Sequence, residues 1–408
     1  MLETITMSTK DMKRYDIIRF VLTKKLKQED AALALEITTR QVRRLRDSVA
    51  KFGAKGLIHK NRGKVSPNKL SESERKVISS LLHEKYYDFN ACHATEMLIE
   101  NHGITHDPKT IRSIMIIEGL YTPRRKKHPG EFRQWRQPRN SFGELVQFDG
   151  SYHQWLGTAM GEICLLLTVD DATSEPIYGK FDSDEGLMPV MAYWQEYLGI
   201  YGKPLAIYMD KFSTYKMCQK TAIDNPDTKT QFGRALETLQ IESIFANSPQ
   251  AKGRVENKFK TFQDRLIKEL RLAGIKTVEE GNRFLNEKFI PNYRKRFGKK
   301  ATKEGDLHRL LSAKERKQLP AILSRQETRV VQNDFTIGHN SIWFQISEKQ
   351  CVTVCKGDKI TVQERTDGTV RFTLRGKDLN VYPIAKRRIK SKTPWVIAAT
   401  QKEPALIH

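Results

Sequence analysis

The chain has 408 residues, of which 71 are lysine or arginine and 48 are aspartate or glutamate, so its net charge is +23. This balance indicates a protein that binds DNA or RNA, and the length predicts several domains rather than one small module. The longest apolar run, Ile163 to Leu167, is too short to span a membrane, and the N-terminus lacks the apolar core of a signal peptide. We therefore expect a cytoplasmic protein without a membrane partner.

Residues 1–60 are predicted to form a helix-turn-helix domain. Apolar residues at helical spacing predict a first helix over 11–26, a second over 28–35 and a third that ends at Gly53. The polar face of the third helix would enter a major groove, where arginine and glutamine read base edges. The expected DNA contacts on this face are Arg40, Gln41, Arg43 and Arg44. A solvated basic face is the alternative, but the short helix and tight turn before it favour DNA binding.

A second, independent helix-turn-helix-like domain is predicted over 66–120. Asp107 and Pro108 are typical of a helix N-terminus, and the outward face of the helix that they begin carries Lys109 and Arg112. We expect these two side chains to contact DNA. Two such domains in series would cover a long DNA site, because each contacts only a few base pairs.

Residues 121–142 are predicted to be an extended basic linker, with seven lysines or arginines against one glutamate. Such a segment can lie along a phosphate backbone or in a minor groove. The expected DNA contacts within it are Arg124, Arg125, Lys126 and Lys127. A linker that is merely solvated has the same composition, so both interpretations stay open.

Residues 143–300 differ from the rest of the chain in charge and in periodicity. The segment 141–250 has 7 basic and 15 acidic residues, whereas 251–300 has 15 basic and 6 acidic residues. An acidic segment inside a protein that binds a polyanion is typical of a site that holds cations, although a solvated acidic face gives the same counts. Strands predicted over 145–149, 163–169 and 205–210, with another near Ile177 and helices between and after them, indicate an α/β core with a mixed sheet.

The C-terminal part is predicted to contain a helical connector over 301–327, a small β-barrel over 328–390 and a basic tail over 391–408. Short alternating runs separated by glycine and aspartate turns indicate the strands, and QCVTVC is one of these runs. Zinc ligation by Cys351 and Cys355 is the weaker interpretation of that run, since no second pair accompanies them. The five scattered cysteines do not predict a disulfide framework.

Three acidic residues of the core stand out by position. Asp149 is predicted to end the first strand, where Gly150 lets the chain turn, and Asp210 is predicted to end a later strand. Glu256 lies near the start of a helix, off the buried stripe and on the same face as Lys252 and Lys260. If the two strands are neighbours, the carboxylates share one site.

Three carboxylates placed in this way can hold two Mg²⁺ or Mn²⁺ ions about 3.5–4 Å apart, which clamp the attacking and leaving oxygens of a phosphodiester. A single acid at a strand end more often caps a turn. Four further acids are rivals for membership of the site: Asp170, Asp171, Asp182 and Asp184. They lie on a second strand or in turns without a glycine that would let a ligand approach.

The segments FDGSYHQWL, IYMDKFSTY and NSPQAKGRVENKFKTFQDRLIKEL resemble the catalytic motifs of the integrase-core DDE transposases, which share an RNase H-like fold with retroviral integrases. The order of the parts is similar to bacterial insertion-sequence transposases of the ISNCY type. The resemblance covers nearly the whole chain, and its most specific part is SPQ followed by GRVEN. It implies that Asp149, Asp210 and Glu256 form the acidic triad and that Lys260 lies near the donor DNA end. One departure is the 45 residues between Asp210 and Glu256, a longer gap than retroviral-type integrases have.

The resemblance implies a multidomain fold with N-terminal all-α helix-turn-helix domains, an α/β RNase H-like core and a C-terminal β-barrel. It implies an enzyme with two Mg²⁺ or Mn²⁺ ions per site, which cuts the ends of an insertion sequence and joins them to target DNA. The expected partners are terminal inverted repeats, target DNA and at least one further copy of the chain in the bacterial nucleoid, with no small-molecule substrate. Two alternatives remain open: a DNA-binding regulator without catalytic activity, and a structure-specific RNase H-like nuclease.

Overall fold

The computed structural model describes residues 5–59, 61–62, 69–123, 137–209, 230–245 and 253–385. The chain divides into two compact units, residues 1–81 and 82–408. Helices and strands are numbered in chain order over the described residues. None of these helices combines the length and the apolarity that crossing a membrane requires.

The first unit contains a three-helix arrangement. Its helices are α1 (Thr9–Leu22), α2 (Gln28–Leu35) and α3 (Thr39–Phe52). The Thr38 hydroxyl accepts a hydrogen bond from the Gln41 backbone N–H and so caps α3 at its start. The three predicted helices are therefore present, although the first ends four residues earlier than expected. That they form a DNA-binding helix-turn-helix stays a prediction.

Three further helices precede the core of the chain. They are α4 (Glu72–Glu84), α5 (Ala91–His102) and α6 (Pro108–Ile117). Asn90 and Asp107 cap α5 and α6 with their side-chain oxygens, as their positions before the helices predict. Both of these helices belong to the same compact unit as the core. That residues 66–120 form an independent helix-turn-helix-like domain stays a prediction.

The core is built on a five-stranded sheet in the order β3-β2-β1-β4-β5. The strands are β1 (Leu145–His153), β2 (Ile163–Asp170), β3 (Pro176–Asp182), β4 (Ala206–Met209) and β5 (Glu242–Phe245). The first three strands pair antiparallel, whereas β4 pairs parallel with β1 and β5 pairs parallel with β4. The predicted mixed sheet is confirmed.

Helices cover both faces of this sheet. They are α7 (Leu187–Tyr201), α8 (Gln231–Thr238), α9 (Gly253–Leu272), α10 (Val278–Phe284), α11 (Ile290–Phe297) and α12 (Ala313–Ile322), with a π-helical turn between α10 and α11. Because side chains alternate along a strand, Val146 and Phe148 of β1 pack with Trp194 of α7 on one face. On the other face Leu167 of β2 packs with Phe262 of α9.

The C-terminal part forms two antiparallel sheets around one apolar cluster. The four-stranded sheet has β6 (Ser324–Val330), β9 (Lys359–Arg365), β10 (Val370–Leu374) and β11 (Lys377–Asp378), and the three-stranded sheet has β7 (Thr336–His339), β8 (Ile342–Ile346) and β12 (Val381–Ile384). Neither sheet closes on itself, so the barrel stays a prediction. The expected strand QCVTVC is wrong: Val352 and Val354 pack on the apolar cluster, but the segment pairs with no strand.

Candidate catalytic site

The buried side chain of Gln147 joins strand β1 to the first turn of helix α9. Its Nε2 donates a hydrogen bond to Asp171 Oδ1 at 2.8 Å, and its Oε1 accepts one from the Val255 backbone N–H at 3.3 Å. The guanidinium of Arg254 donates to the same Asp171 oxygen at 2.5 Å. These bonds hold the start of α9 against the face of β1 that carries Gln147.

Asp149 and Glu256 lie on the two elements that Gln147 joins. Asp149 is two residues beyond Gln147, so its side chain leaves the same face of β1. Glu256 follows the buried Val255 in the first turn of α9, and both acidic residues are half-buried. The amide N–H groups of a first helical turn favour a carboxylate at that position. The structure therefore brings the segments of these two predicted triad members together.

The position of Asp149 within its strand differs from the prediction. β1 continues past it to His153, and Gly150 pairs with Leu166 of β2 within the strand instead of turning the chain. The strand is long because β2 provides hydrogen-bond partners along its whole length, which the sequence of β1 alone does not reveal. Asp149 thus lies in the middle of a strand.

The third predicted acid, Asp210, lies outside the described residues. Strand β4, which runs parallel to β1, ends at Met209, the residue before it in the chain. Within the described part of the chain, no three histidine, cysteine, aspartate or glutamate side chains form a group that could hold a metal ion. The other predicted site residues outside the described part are Arg124, Arg125, Lys126, Lys127 and Lys252.

The rival acids Asp170 and Asp171 are buried and hydrogen-bonded within the fold. Asp170 accepts hydrogen bonds from the Gly143 backbone N–H at 3.0 Å and from the backbone N–H and hydroxyl of Thr173 at 2.8 and 2.9 Å. Burial raises the pKa of Asp170, although these hydrogen bonds act in the opposite direction. Asp171 also accepts from the Arg139 backbone N–H at 2.8 Å. The carboxylates of Asp170 and Asp171 thus connect the segment before β1 and the start of α9 to the sheet.

The rivals Asp182 and Asp184 accept hydrogen bonds in the turn that leads into α7. Asp182 Oδ1 accepts from the Ser183 backbone N–H at 2.8 Å, and Asp184 Oδ1 accepts from the Gly186 backbone N–H at 2.5 Å. Both acids therefore have the turn-stabilising role that is common for aspartate at such positions.

Sequence reasoning missed a further acid that lies against Gly150, the residue after Asp149. The carboxylate of Glu185 lies so close to Gly150 that a Cβ atom at that glycine would be 2.6 Å from Glu185 Oε2 and 3.0 Å from Cys164 Sγ. Burial raises the pKa of the Cys164 thiol to about 12, and the charges of Glu185 and Asp149 add to the shift. The backbone N–H of Glu185 donates to the Tyr152 hydroxyl at 3.0 Å. The only signal in the sequence was the glycine itself, whose small size admits the carboxylate.

The predicted DNA contacts in the described residues are all exposed. On α3 they are Arg40, Gln41, Arg43 and Arg44, on α6 they are Lys109 and Arg112, and on α9 there is Lys260. The Arg112 guanidinium lies 5.2 Å from the centre of the Tyr121 ring. Lys260 is one helical turn beyond Glu256, so the two residues share one face of α9.

The chain is similar over most of its length to known transposases. No protein-family model matches it. The putative transposase y4bF of Sinorhizobium fredii is 35% identical over 376 residues, which cover 92% of this chain and 81% of that protein. This chain belongs to the transposases. The transposase of insertion sequence IS1202 from Streptococcus pneumoniae is 26% identical over 94% of this chain and 88% of that protein.

The predicted membership of the bacterial insertion-sequence transposases is thus confirmed, and with it an enzyme of the polynucleotidyl-transferase type. Among solved structures, the magnesium complex of the HTLV-2 integrase catalytic core is similar at 15% identity and a TM-score of 0.26. It covers 36% of this transposase and 83% of that chain.

Proposed function

We propose that this transposase binds the terminal inverted repeats of its insertion sequence, cuts the DNA there and joins the freed 3′-hydroxyl to target DNA. Asp149, Asp210 and Glu256 are its acidic triad. The observation that carries the proposal is the Gln147 side chain, whose hydrogen bonds hold the turn of Glu256 against the face of β1 that bears Asp149. Because β4 runs beside β1 and ends one residue before Asp210, the third acid follows the neighbouring strand.

The donor set of the triad fits a hard divalent cation. Carboxylate oxygens are the ligands that Mg²⁺ and Mn²⁺ prefer, and two half-buried carboxylates, Asp149 and Glu256, already lie on adjoining elements. Two such ions, when bound, act as Lewis acids toward the attacking and leaving oxygens of a phosphodiester. The acidic residues at this site would otherwise repel the DNA backbone, so the proposal requires cations there.

The proposed chemistry is in-line displacement at phosphorus in two steps. In the first, a water oxygen forms a bond to phosphorus and the 3′ oxygen of the element leaves, becoming a hydroxyl. In the second, that hydroxyl attacks a phosphodiester of the target, whose own 3′ oxygen leaves. Lys260 is placed to bind a phosphate of the donor end, and the Asp171–Arg254 pair keeps the turn of Glu256 in place while DNA binds.

The helical parts of the chain supply DNA recognition in this proposal. The exposed arginines and glutamine of α3 read the repeat, and Lys109 and Arg112 of α6 make a second contact. The basic linker over 121–142 adds phosphate contacts that do not depend on sequence. Two ends have to be joined to one target, so the active form contains at least two copies of the chain.

The test uses purified protein and a labelled duplex that carries the terminal repeat, with Mg²⁺, Mn²⁺ or EDTA. We expect metal-dependent cutting at the repeat end, which Asp149→Asn and Glu256→Gln abolish without weakening repeat binding. Asp182→Asn is the matched control, because it makes the same change on the same sheet at an acid that stabilises a turn. Repeat binding without cutting by the unmodified protein would favour the regulator, and faster cutting of branched DNA would favour the structure-specific nuclease.

A further inference from the structure

Helix α5 is attached to the helix that carries Glu256 through charged side chains. Glu96 of α5 accepts two hydrogen bonds from the Arg265 guanidinium of α9, at 2.6 and 3.0 Å. It also accepts one from Arg296 of α11 at 2.8 Å. Burial raises the pKa of Glu96, but the hydrogen bond and charge of Arg265 and the charge of Arg296 lower it more, so the carboxylate stays ionised. A paired geometry of this kind fixes direction as well as distance.

The same interface continues on both sides of Glu96. His93 of α5 is fully buried, and its Nε2 lies 3.0 Å from Glu269 Oε1 of α9. In the loop before α5, Asp88 accepts two hydrogen bonds from the Arg271 guanidinium, at 2.7 and 2.9 Å. That guanidinium also lies 4.8 Å from the centre of the Tyr87 ring. Several polar contacts along one helix therefore hold α5 in a single register on α9.

The interface connects the helix that carries Glu256 with the proposed DNA-binding helix α6. Arg265 is nine residues beyond Glu256, which corresponds to about 14 Å along the axis of α9. Helix α5 also packs against α6, whose exposed face carries Lys109 and Arg112. A DNA segment bound on α6 is therefore held at a set distance from Glu256 by two rigid helices.

We propose that the charged interface between α5 and α9 positions the DNA that α6 binds relative to Glu256 and so fixes which phosphodiester is cut. Asp88, Glu96, Arg265 and Arg271 are then positioning residues. The inference rests on the proposed function for the roles of α6 and Glu256. It assigns to α5 and α6 a role beyond DNA binding: they set the distance between the bound DNA segment and the phosphodiester that is cut.

A charge swap in the full-length protein tests this inference. Asp88→Arg and Arg271→Asp each replace attraction with repulsion, and the double variant restores the pair with its charges exchanged. Lys276→Glu is the matched control, because it makes the same charge change as Arg271→Asp at an exposed residue just after α9. The readouts are the hydroxyl-radical footprint on a labelled terminal repeat and the position and rate of cutting.

We expect the unmodified protein and the control to protect the repeat continuously up to the cut. Each single reversal is expected to lose protection at the cut end while the rest remains, and to shift the cut or slow it by roughly tenfold, with recovery in the double variant. Single variants with the unmodified footprint and cut position, or a double variant as defective as the single ones, would overturn the inference.

Two further results decide the test if a charge reversal prevents folding or if the unmodified protein does not cut. Glu96→Gln keeps the shape of the more buried contact but removes its charge, so it answers the question if a reversal prevents folding. It is expected to spread the cut over several positions, and a single unshifted cut would count against the inference. A continuous footprint without any cutting by the unmodified protein would contradict the proposed chemistry while still supporting the docked arrangement.

Discussion

The side-chain oxygen of Gln147 accepts a hydrogen bond from the backbone N–H of Val255, with 3.3 Å between the two atoms. These residues are more than a hundred positions apart in the chain. Gln147 lies two residues before Asp149, and Val255 directly precedes Glu256. A single buried amide thus holds together the strand and the helix of the proposed site. Its other end is held by Asp171, whose carboxylate also accepts a hydrogen bond from Arg254 of α9.

Gln147→Leu is expected to weaken both folding and cutting. The leucine has a similar size but leaves the Val255 N–H without this acceptor and removes a donor from the buried Asp171 carboxylate. Each unsatisfied buried group costs about 1–3 kcal/mol, so urea unfolding should show a loss of roughly 2 kcal/mol or more. Gln345→Leu in β8 removes hydrogen bonds to the backbone carbonyls of Asp334 and Phe335; it is the control and should leave the rate of cutting near that of the unmodified protein. Equal cutting by both variants would show that Gln147 does not place the site.

Gly150→Ala is expected to lower the stability of the fold through contact with Glu185. The added Cβ would be 2.6 Å from Glu185 Oε2 and 3.0 Å from the buried Cys164 Sγ, so a side chain has to move. Overpacking of this kind costs about 1–3 kcal/mol, which thermal unfolding would measure. The double variant Gly150→Ala with Glu185→Ala should recover most of that loss, since it removes the closer of the two atoms. Without such recovery, Cys164 rather than Glu185 is the group that requires a glycine.

Local pattern was sufficient to predict most strands and helices of the core. Alternating and continuous apolar runs predicted the strands that became β1, β2 and β4, and the motif around Glu256 predicted the start of a helix. These features depend on residues close together in the chain. That is why the strands and helices of the core were foreseeable, whereas the grouping of Asp149 with Glu256 was expected only from the resemblance to known transposases.

Contacts between distant segments were not foreseeable in the same way. β1 continues beyond Asp149 because β2 pairs with it, and QCVTVC forms no strand because no partner strand lies beside it, although its composition favours one. The docking of Glu96 on Arg265 joins residues 169 positions apart, and each alone has the appearance of an ordinary surface charge. The approach of Glu185 to Gly150 likewise depends on the turn before α7.

Acid is expected to weaken the attachment of α12 to the core through Glu315. Hydrogen bonds from the Lys203 ammonium and from the hydroxyl and backbone N–H of Ser312 lower the pKa of Glu315 to about 2. Because the unfolded chain takes up this proton near the ordinary pKa of 4.5, the stabilisation is complete above that pH and disappears as the pH falls toward 2. Unfolding measured between pH 5 and pH 2 should therefore show a pH dependence that Glu315→Gln reduces.

The Glu315→Gln variant should also be less stable at neutral pH, because Lys203 is only 6% exposed and loses its charged partner. Glu304→Gln, at an exposed glutamate in the preceding loop, is the comparison variant. If both variants follow the pH profile of the unmodified protein, the Lys203–Glu315 pair does not contribute to folding.

The DNA-binding assignment of α3 predicts a change in salt dependence. Each phosphate contact releases counterions and contributes about 0.9 to the slope of log K against log salt, so Arg44→Ala should reduce the slope by about that amount if Arg44 contacts phosphate. If Arg44 reads a base edge, the variant should instead lose preference for the repeat over unrelated DNA by about 1–3 kcal/mol. Lys317→Ala, at an exposed position on α12, makes the same change in charge and separates these effects from net charge. If Arg44→Ala and Arg43→Ala both leave the slope and the preference for the repeat unchanged, α3 is not part of the DNA-binding surface.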